Sequence, residues 1–159
     1  TETVRKALAK AEGVMRRLER LGMLGAAVLY SDYAHHPAEI EATIRALLQM
    51  HAGRILVVFQ PHLYSRTRDY AEGFAAALAL ADMVQLVDIY PAREEPIPGV
   101  SSDMLVESAR LINPLVNSPI PPAKVNETVS RLADSFEAVV MMGAGDIDDM
   151  ARALIARGQ

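Results

Sequence analysis

The sequence predicts an α/β domain: a mostly parallel sheet of about six strands with helices on both faces. Two patterns carry that prediction. Four short apolar runs recur, "GAAVLYSD", "RILVVFQ", "MVQLVDIY" and "EAVVMMG", and each lacks the apolar-polar alternation of a strand with one wet face, so each reads as a strand buried on both. Between them lie stretches with helical spacing, and strands alternating with helices imply parallel pairing through crossovers. Length sets the scale: 159 residues, 51% hydrophobic and 23% charged, suffice for one continuous core in a single domain.

Each element has its own signal. The opening "TETVRKALAKAEG" is helix-like in composition and lacks an initiating Met, so the chain is expected to be a segment of something longer. "GVMRRLERLGML" is expected to form an edge strand in which Val14, Arg16 and Leu18 alternate with Met15 and Arg17, and "GAAVLYSD" comes after it as a buried strand. In the helix "PAEIEATIRALLQMH", Pro37 suits the first turn, Glu39 complements its positive end, and His51 followed by Gly53 marks its stop. The strand "RILVVFQ" leads to a helix over "TRDYAEGFAAALALA", with Thr67 or Ser65 as its cap and Arg66 still in the preceding loop. After "MVQLVDIY", the three prolines and Gly99 of "YPAREEPIPGVSS" specify a stiffened connection to the helix "SSDMLVESARLI". "LINPLVNSPIPP" reads as a short strand or a loop, and "AKVNETVSRLADSF" as a helix. The last strand, "EAVVMMG", turns tightly through Gly143 and Gly145 into a final helix in "DIDDMARALIARG". There are no internal repeats and no low-complexity tracts.

A net charge of -4 offers no general attraction for nucleic acid, so any anion must be held locally. The absence of cysteine rules out a disulfide framework and fits a reducing compartment. No apolar run is long enough to cross a bilayer and no charged-then-apolar leader stands at the start. A cytoplasmic location is expected, with neither a nucleic acid nor a membrane as partner.

In an open parallel sheet, ligands bind beyond the carboxyl ends of the strands. Asp32, Tyr33, His35 and His36 come after the first buried strand, His62, Tyr64, Arg66 and Arg68 after the second, and Tyr90 after the third. Three of the four histidines and three of the five tyrosines thus fall on one edge. The "HHP" turn is either two solvated residues, with His36 capping the next helix, or part of a ligand site. Asp32 and Tyr33 beside it favour the second. Neighbouring turn residues project apart, and no His pair at helical spacing and no Cys completes a compact ligand set, so no metal is expected. Arg68 reads as solvated, whereas Arg66 beside a helix amino terminus suits a carboxylate or phosphate. "GAGD" lacks the third glycine of a dinucleotide fingerprint, Asp148 standing there, and lies after the last strand rather than the first. No GxxxxGK[ST] motif occurs in the sequence.

Taken in order and at their spacings, "DYAHHP", "FQPHLYSRTRD", "DIYPAREEPIPGVSS" and "GAGDI" resemble the C-terminal domain of the Mur ligase family, specifically of its alanine-adding branch. The resemblance runs from about Gly13 to the last helix, so the whole chain, residues 1–159, reads as one such domain. It implies a Rossmann-like third domain that closes over an N-terminal UDP-sugar domain and a central ATPase domain. The implied reaction of peptidoglycan synthesis joins L-alanine to UDP-N-acetylmuramate at the expense of ATP through an acyl phosphate, with Mg2+, both ATP and metal held mainly by the central domain.

By the same resemblance Asp32 matches an aspartate that holds the ribose of ATP, and Arg17 an arginine that reaches the nucleotide, with Arg16 as the alternative register. Tyr33, His35, His62 and Arg66 match positions facing the alanine, His35 and Arg66 those nearest the reacting groups. Two departures stand out: Leu63 replaces an arginine common in the family, and Ser31 a frequent second aspartate. A ligase that reattaches recycled murein tripeptide shares the "HHP" turn and is the nearest competing assignment. A non-catalytic Rossmann-type module that captures a nucleotide or small acid is a competitor of another class.

Overall fold

The computed structural model describes residues 14–156; the helix-like opening, residues 1–13, and the last three residues lie outside that range. Six strands, β1 (Glu19–Leu24), β2 (Ala27–Asp32), β3 (Ile55–Phe59), β4 (Met83–Val87), β5 (Val116–Ile120) and β6 (Ala138–Met142), form one sheet in the order β1-β2-β6-β3-β4-β5. The pairing of β1 with β2 is antiparallel, while β2, β6, β3, β4 and β5 run parallel. The helices are α1 (Pro37–Met50), α2 (Tyr64–Asp69), α3 (Ala71–Leu78), α4 (Asp103–Arg110), α5 (Pro122–Ala133) and α6 (Ile147–Ala156). The predicted mostly parallel, six-stranded α/β architecture is what the chain adopts.

The apolar runs are uninterrupted because side chains alternate between two covered faces. On one face Ile55, Val57 and Phe59 of β3 pack with Ile40, Ile44 and Leu47 of α1, Phe74 and Leu78 of α3, and Leu105 of α4. On the other, Leu56 and Val58 meet Val125 and Val129 of α5 and Ile147, Ala151 and Leu154 of α6. All five residues of β3 and of β6 are buried.

Three boundaries differ from the sequence-based expectation. The edge strand begins at Glu19, not Val14, because Arg16 and Leu18 take positive φ values (56° and 44°) and coil the preceding segment into a turn. Helix α2 begins at Tyr64, three residues early. Leu63, at φ 73°, folds the chain back against β4 with its N-H on Tyr90 O, so Arg66 lies within a helix rather than in a loop. Neither Ser65 nor Thr67 caps it. The Thr67 hydroxyl bonds back to Leu63 O, and the role of a cap falls to Glu94, whose carboxylate accepts both the N-H and the hydroxyl of Ser65. The single helix expected through Ala81 is broken at Tyr70 (φ -115°, ψ 18°), whose ring stands edge-on to those of His36 and Phe74. The segment 116–120, open between strand and loop from sequence, is edge strand β5.

Leu56 is fully buried beneath α5 and α6. Leu56→Ala should cost about 2–5 kcal/mol of folding stability in a denaturant titration. A loss below about 1 kcal/mol would show that this face repacks freely and is not the close-packed layer described.

Candidate functional site

Strand β6 lies between β2 and β3, and the chain leaves these strands toward opposite faces: β2 and β3 lead to the face covered by α1 and α3, β6 to that covered by α6. Their carboxyl ends therefore diverge and open a crevice, as the topology of open α/β sheets requires. Backbone pairing continues past the strands, with Gly143 N on Asp32 O and Gln60 N on Met142 O, so the three segments that line the crevice are rigidly related.

Asp32 closes β2 and is 5% exposed. Its Oδ2 accepts from Leu18 N at 2.7 Å and from the Thr43 hydroxyl at 3.3 Å, and its Oδ1 from Ala34 N at 2.7 Å. It shares with Arg17, Leu18, Glu39 and the α1 residues Ala42, Thr43 and Ala46 an open depression of about 390 Å³. The neighbouring Arg16 points elsewhere. Its guanidinium lies 4.6 Å over the Tyr33 ring and donates to Gly143 O (2.8 Å) and Gly145 O (3.3 Å), 3.9 Å from Asp148.

Tyr33, His35 and His62 form a chain of rings with centroids 5.1 and 6.4 Å apart, and His62 stacks on Tyr90 at 5.7 Å. The His35 ring faces Tyr33 O through Nδ1 at 2.9 Å; a carbonyl only accepts, so Nδ1 carries the proton and Nε2 is left for a ligand. His62 is oriented oppositely: its Nδ1 faces Arg66 Nη1 at 3.3 Å, and a guanidinium only donates, so Nδ1 holds the lone pair. Burial first, and then the charges of Arg66 and His35, hold the His62 pKa below the ordinary histidine value. His62 is thus neutral near pH 7.

His36 stands apart from this chain. Its ring accepts from Ala38 N at 3.4 Å and Glu39 returns a bond to His36 N, a reciprocal cap on α1, so for this residue the helix-capping alternative holds. Burial opposes ionisation of Glu39, but the N-H groups of His35 and His36 outweigh it and keep its pKa below the usual glutamate value. Arg68 is exposed and pairs with Asp69, as its solvated reading required. Tyr64 lines a separate hollow with Asp88, Ile89, Pro96 and Ser102, so it does not join the other edge tyrosines.

Residues missed from sequence lie beneath the crevice. Asp148 accepts from Ser31 at 2.6 Å and from Arg152 at 3.0 Å, and Arg152 also binds Glu19 at 2.8 Å. Burial opposes the Asp148 charge, yet these donors hold its pKa below the ordinary aspartate value. The Asp148 and Arg152 spacing of four was a visible helix pair; that it braces β1, β2 and the glycine turn was not. A serine at position 31 serves this network as the donor to Asp148, a bond that an ionised aspartate could not make.

Residues 16–154 match the family described as Mur ligase, glutamate ligase domain. The chain is 42% identical over 153 residues to UDP-N-acetylmuramate--L-alanine ligase of Streptomyces avermitilis, covering 95% of this chain and 33% of that protein. It therefore spans about a third of the length of the curated relatives it matches. Among solved structures, UDP-N-acetylmuramate-alanine ligase of Thermotoga maritima superposes with a TM-score of 0.75 at 24% identity, over 97% of this chain and 32% of that one. A murein peptide ligase of Psychrobacter arcticus reaches 0.68 at 21%, with the same coverage, and at such identities both likenesses speak for the fold alone. With the family match spanning nearly all the described residues and the fold agreeing, this chain belongs to the Mur ligase family, as its C-terminal domain.

Proposed function

We propose that this chain is the third domain of an ATP-dependent ligase that joins L-alanine to UDP-N-acetylmuramate in peptidoglycan synthesis, the UDP-sugar and ATPase domains being carried by the rest of that protein. The observation that carries this reading is the pairing, on one sheet edge, of a carboxylate depression with an aromatic, histidine and arginine wall. ATP with Mg2+ would supply activation of the muramoyl carboxylate as an acyl phosphate. Since this sequence holds no GxxxxGK[ST] motif, the phosphates and the metal would be bound mainly by the ATPase domain, and the domain alone is expected to be inactive.

The residues present suit a nucleotide ribose. A carboxylate offers about four lone-pair sites and Asp32 uses three, the Thr43 bond being the longest and the one a ribose hydroxyl would replace. Arg17 faces the same depression and would reach the nucleotide. On the other wall Arg66 would hold the alanine carboxylate. Neutral His62 and the open Nε2 of His35 would flank the attacking amine, with Tyr33 closing the side. His35 and Arg66 are the two assigned to the reacting groups. The names of the most similar curated relatives support alanine over recycled tripeptide as the acceptor amine.

The complete ligase, assayed for amide formation with L-alanine and with murein tripeptide at equal concentration, should use alanine at a kcat/KM at least about 100-fold higher, the discrimination that unpaired polar groups in a site can impose. Comparable use of both would replace this assignment with the recycling one.

Two substitutions should separate the two walls. Asp32→Asn should raise the KM for ATP by about 10-fold or more, since a charge-assisted hydrogen bond is worth roughly 1.5–3 kcal/mol, with little effect on alanine. Arg66→Lys should raise the KM for alanine by a similar factor and leave ATP alone, because a point charge cannot replace a planar fork. If both variants keep wild-type constants and stability, neither wall binds what is assigned to it.

NMR titration of the domain should place the His62 pKa below about 6.5, and Arg66→Gln should move it upward by removing a nearby cation. With its folded pKa below its unfolded one, His62 contributes stability that is complete above about pH 6.5 and declines as pH falls through the folded pKa. A His62 pKa at or above 6.5 would contradict the lowering that burial and the Arg66 charge are argued to cause.

A further inference from the structure

Helix α2 carries Arg66 and has little of its own to hold it in place. It is six residues long, its entry residue Leu63 sits at φ 73° and makes no side-chain cap, and a helix this short is not stable by itself. Outside contacts must fix it. They come from the loop after β4: Tyr90 O accepts from Leu63 N at 2.9 Å, Tyr90 N donates to Pro61 O at 2.8 Å, and the Tyr90 ring stacks on that of His62. Glu94 completes the set. Its Oε2 accepts the Ser65 N-H at 3.0 Å and its Oε1 accepts the Ser65 hydroxyl.

The loop is shaped to deliver that carboxylate. Pro91, Pro96 and Pro98 stiffen it, Ala92 takes a positive φ of 53°, and Glu94 N closes a turn on Pro91 O at 2.9 Å. The Ser65 hydroxyl first and the Ser65 N-H second, against partial desolvation, with smaller parts from the Tyr64 N-H and the Arg66 charge, hold the Glu94 carboxyl below the ordinary glutamate value. An ionised carboxylate of the protein itself thus occupies the positive amino end of α2. What remains there for a substrate anion is the guanidinium of Arg66, one residue beyond Ser65, with Nη1 facing His62 Nδ1 at 3.3 Å.

We infer that Glu94 is a positioning residue of the amino-acid site: by holding the first turn of α2 it fixes where Arg66 presents its guanidinium, and so sets the affinity for the amino-acid carboxylate. The inference rests on the proposed reading of Arg66 as the group that binds this carboxylate. Glu94 touches the substrate nowhere in this scheme and acts only through Arg66. Its loss therefore appears in the KM for the amino acid and leaves the nucleotide wall, which belongs to β2 and α1, unaffected.

The test uses the complete ligase carrying this domain. Glu94→Gln, which keeps the size but loses the charge and one acceptor, should raise the KM for L-alanine about fivefold, with the KM for ATP and the melting temperature near those of the wild type. Ser65→Ala, which keeps the N-H bond and loses only the hydroxyl one, should give a smaller rise, about twofold, although alanine is the better helix former. In an Arg66→Lys background Glu94→Gln should add less than about twofold, because a residue that acts by placing the fork has little left to lose once the fork is gone. Effects that multiply in the double variant would overturn the inference, since Glu94 would then act independently of Arg66. So would equal rises in the KM for alanine and for ATP, the mark of a general disturbance, or an unchanged KM for alanine in Glu94→Gln when Arg66→Lys alone raises it. If Arg66→Lys itself leaves alanine unaffected, the reading of Arg66 fails, and the inference falls with it.

Discussion

Strand β6 comes last in the chain and sits in the middle of the sheet, hydrogen-bonded to β2 on one side and β3 on the other in register, Val140 level with both Tyr30 and Val57. The rest of the site depends on this insertion. Because β6 sends its helix to the face opposite those reached from β2 and β3, the backbone splays at their carboxyl ends while the ladder below stays closed. Asp32, Gln60 and Gly143 are thereby placed side by side from three distant parts of the sequence. A rigid floor with diverging loops holds polar groups at fixed distances without their having to pack on each other.

Under that floor lies a charge network with a supporting function. Arg16 and Arg152 flank Asp148, Arg152 also holds Glu19, and Ser31 donates to Asp148. Arg16 Nε is buried without a hydrogen-bond partner and lies 3.9 Å from Asp148 Oδ2. The network ties the antiparallel edge strand, the end of β2 and the glycine turn into one body, and leaves Arg17 directed to the Asp32 depression.

Backbone strain collects in the same places. Among the described residues, positive φ at non-glycine positions occurs at Arg16, Leu18, Leu63 and Ala92. All four lie in segments that bound the crevice or carry its side chains: the turn before β1, the entry to α2, and the loop after β4. Each such residue costs of order 1 kcal/mol or more and persists only where surrounding contacts enforce it. At Leu63 the enforcement is visible in the bond from its N-H to Tyr90 O, which pulls α2 against the β4 loop and sets the distance from Arg66 to His62.

The sequence by itself determined the layers and the edge. Short apolar runs without alternation, alternating with helical stretches, read as strands covered on both faces, and the spacing of "PAEIEATIRALLQMH" with its Pro37 and Glu39 marks a helix start where one occurs. The concentration of His35, His62, Tyr33 and Tyr90 after successive strands came from the same pattern, because parallel strands all end on one side. Strand order was not legible: nothing local in "EAVVMMG" says that it inserts between β2 and β3. The start of α2 was also hidden, since it depends on Leu63 being forced to positive φ by a bond to residue 90. Which of Arg16 and Arg17 turns toward Asp32 was decided by a tight turn that breaks strand alternation. The pairing of Gln60 with Asp146, 86 residues apart, exists only once β6 lies against β3. Local periodicity encodes which faces are buried; long-range hydrogen bonds decide which polar groups meet, and those are formed by the assembled sheet.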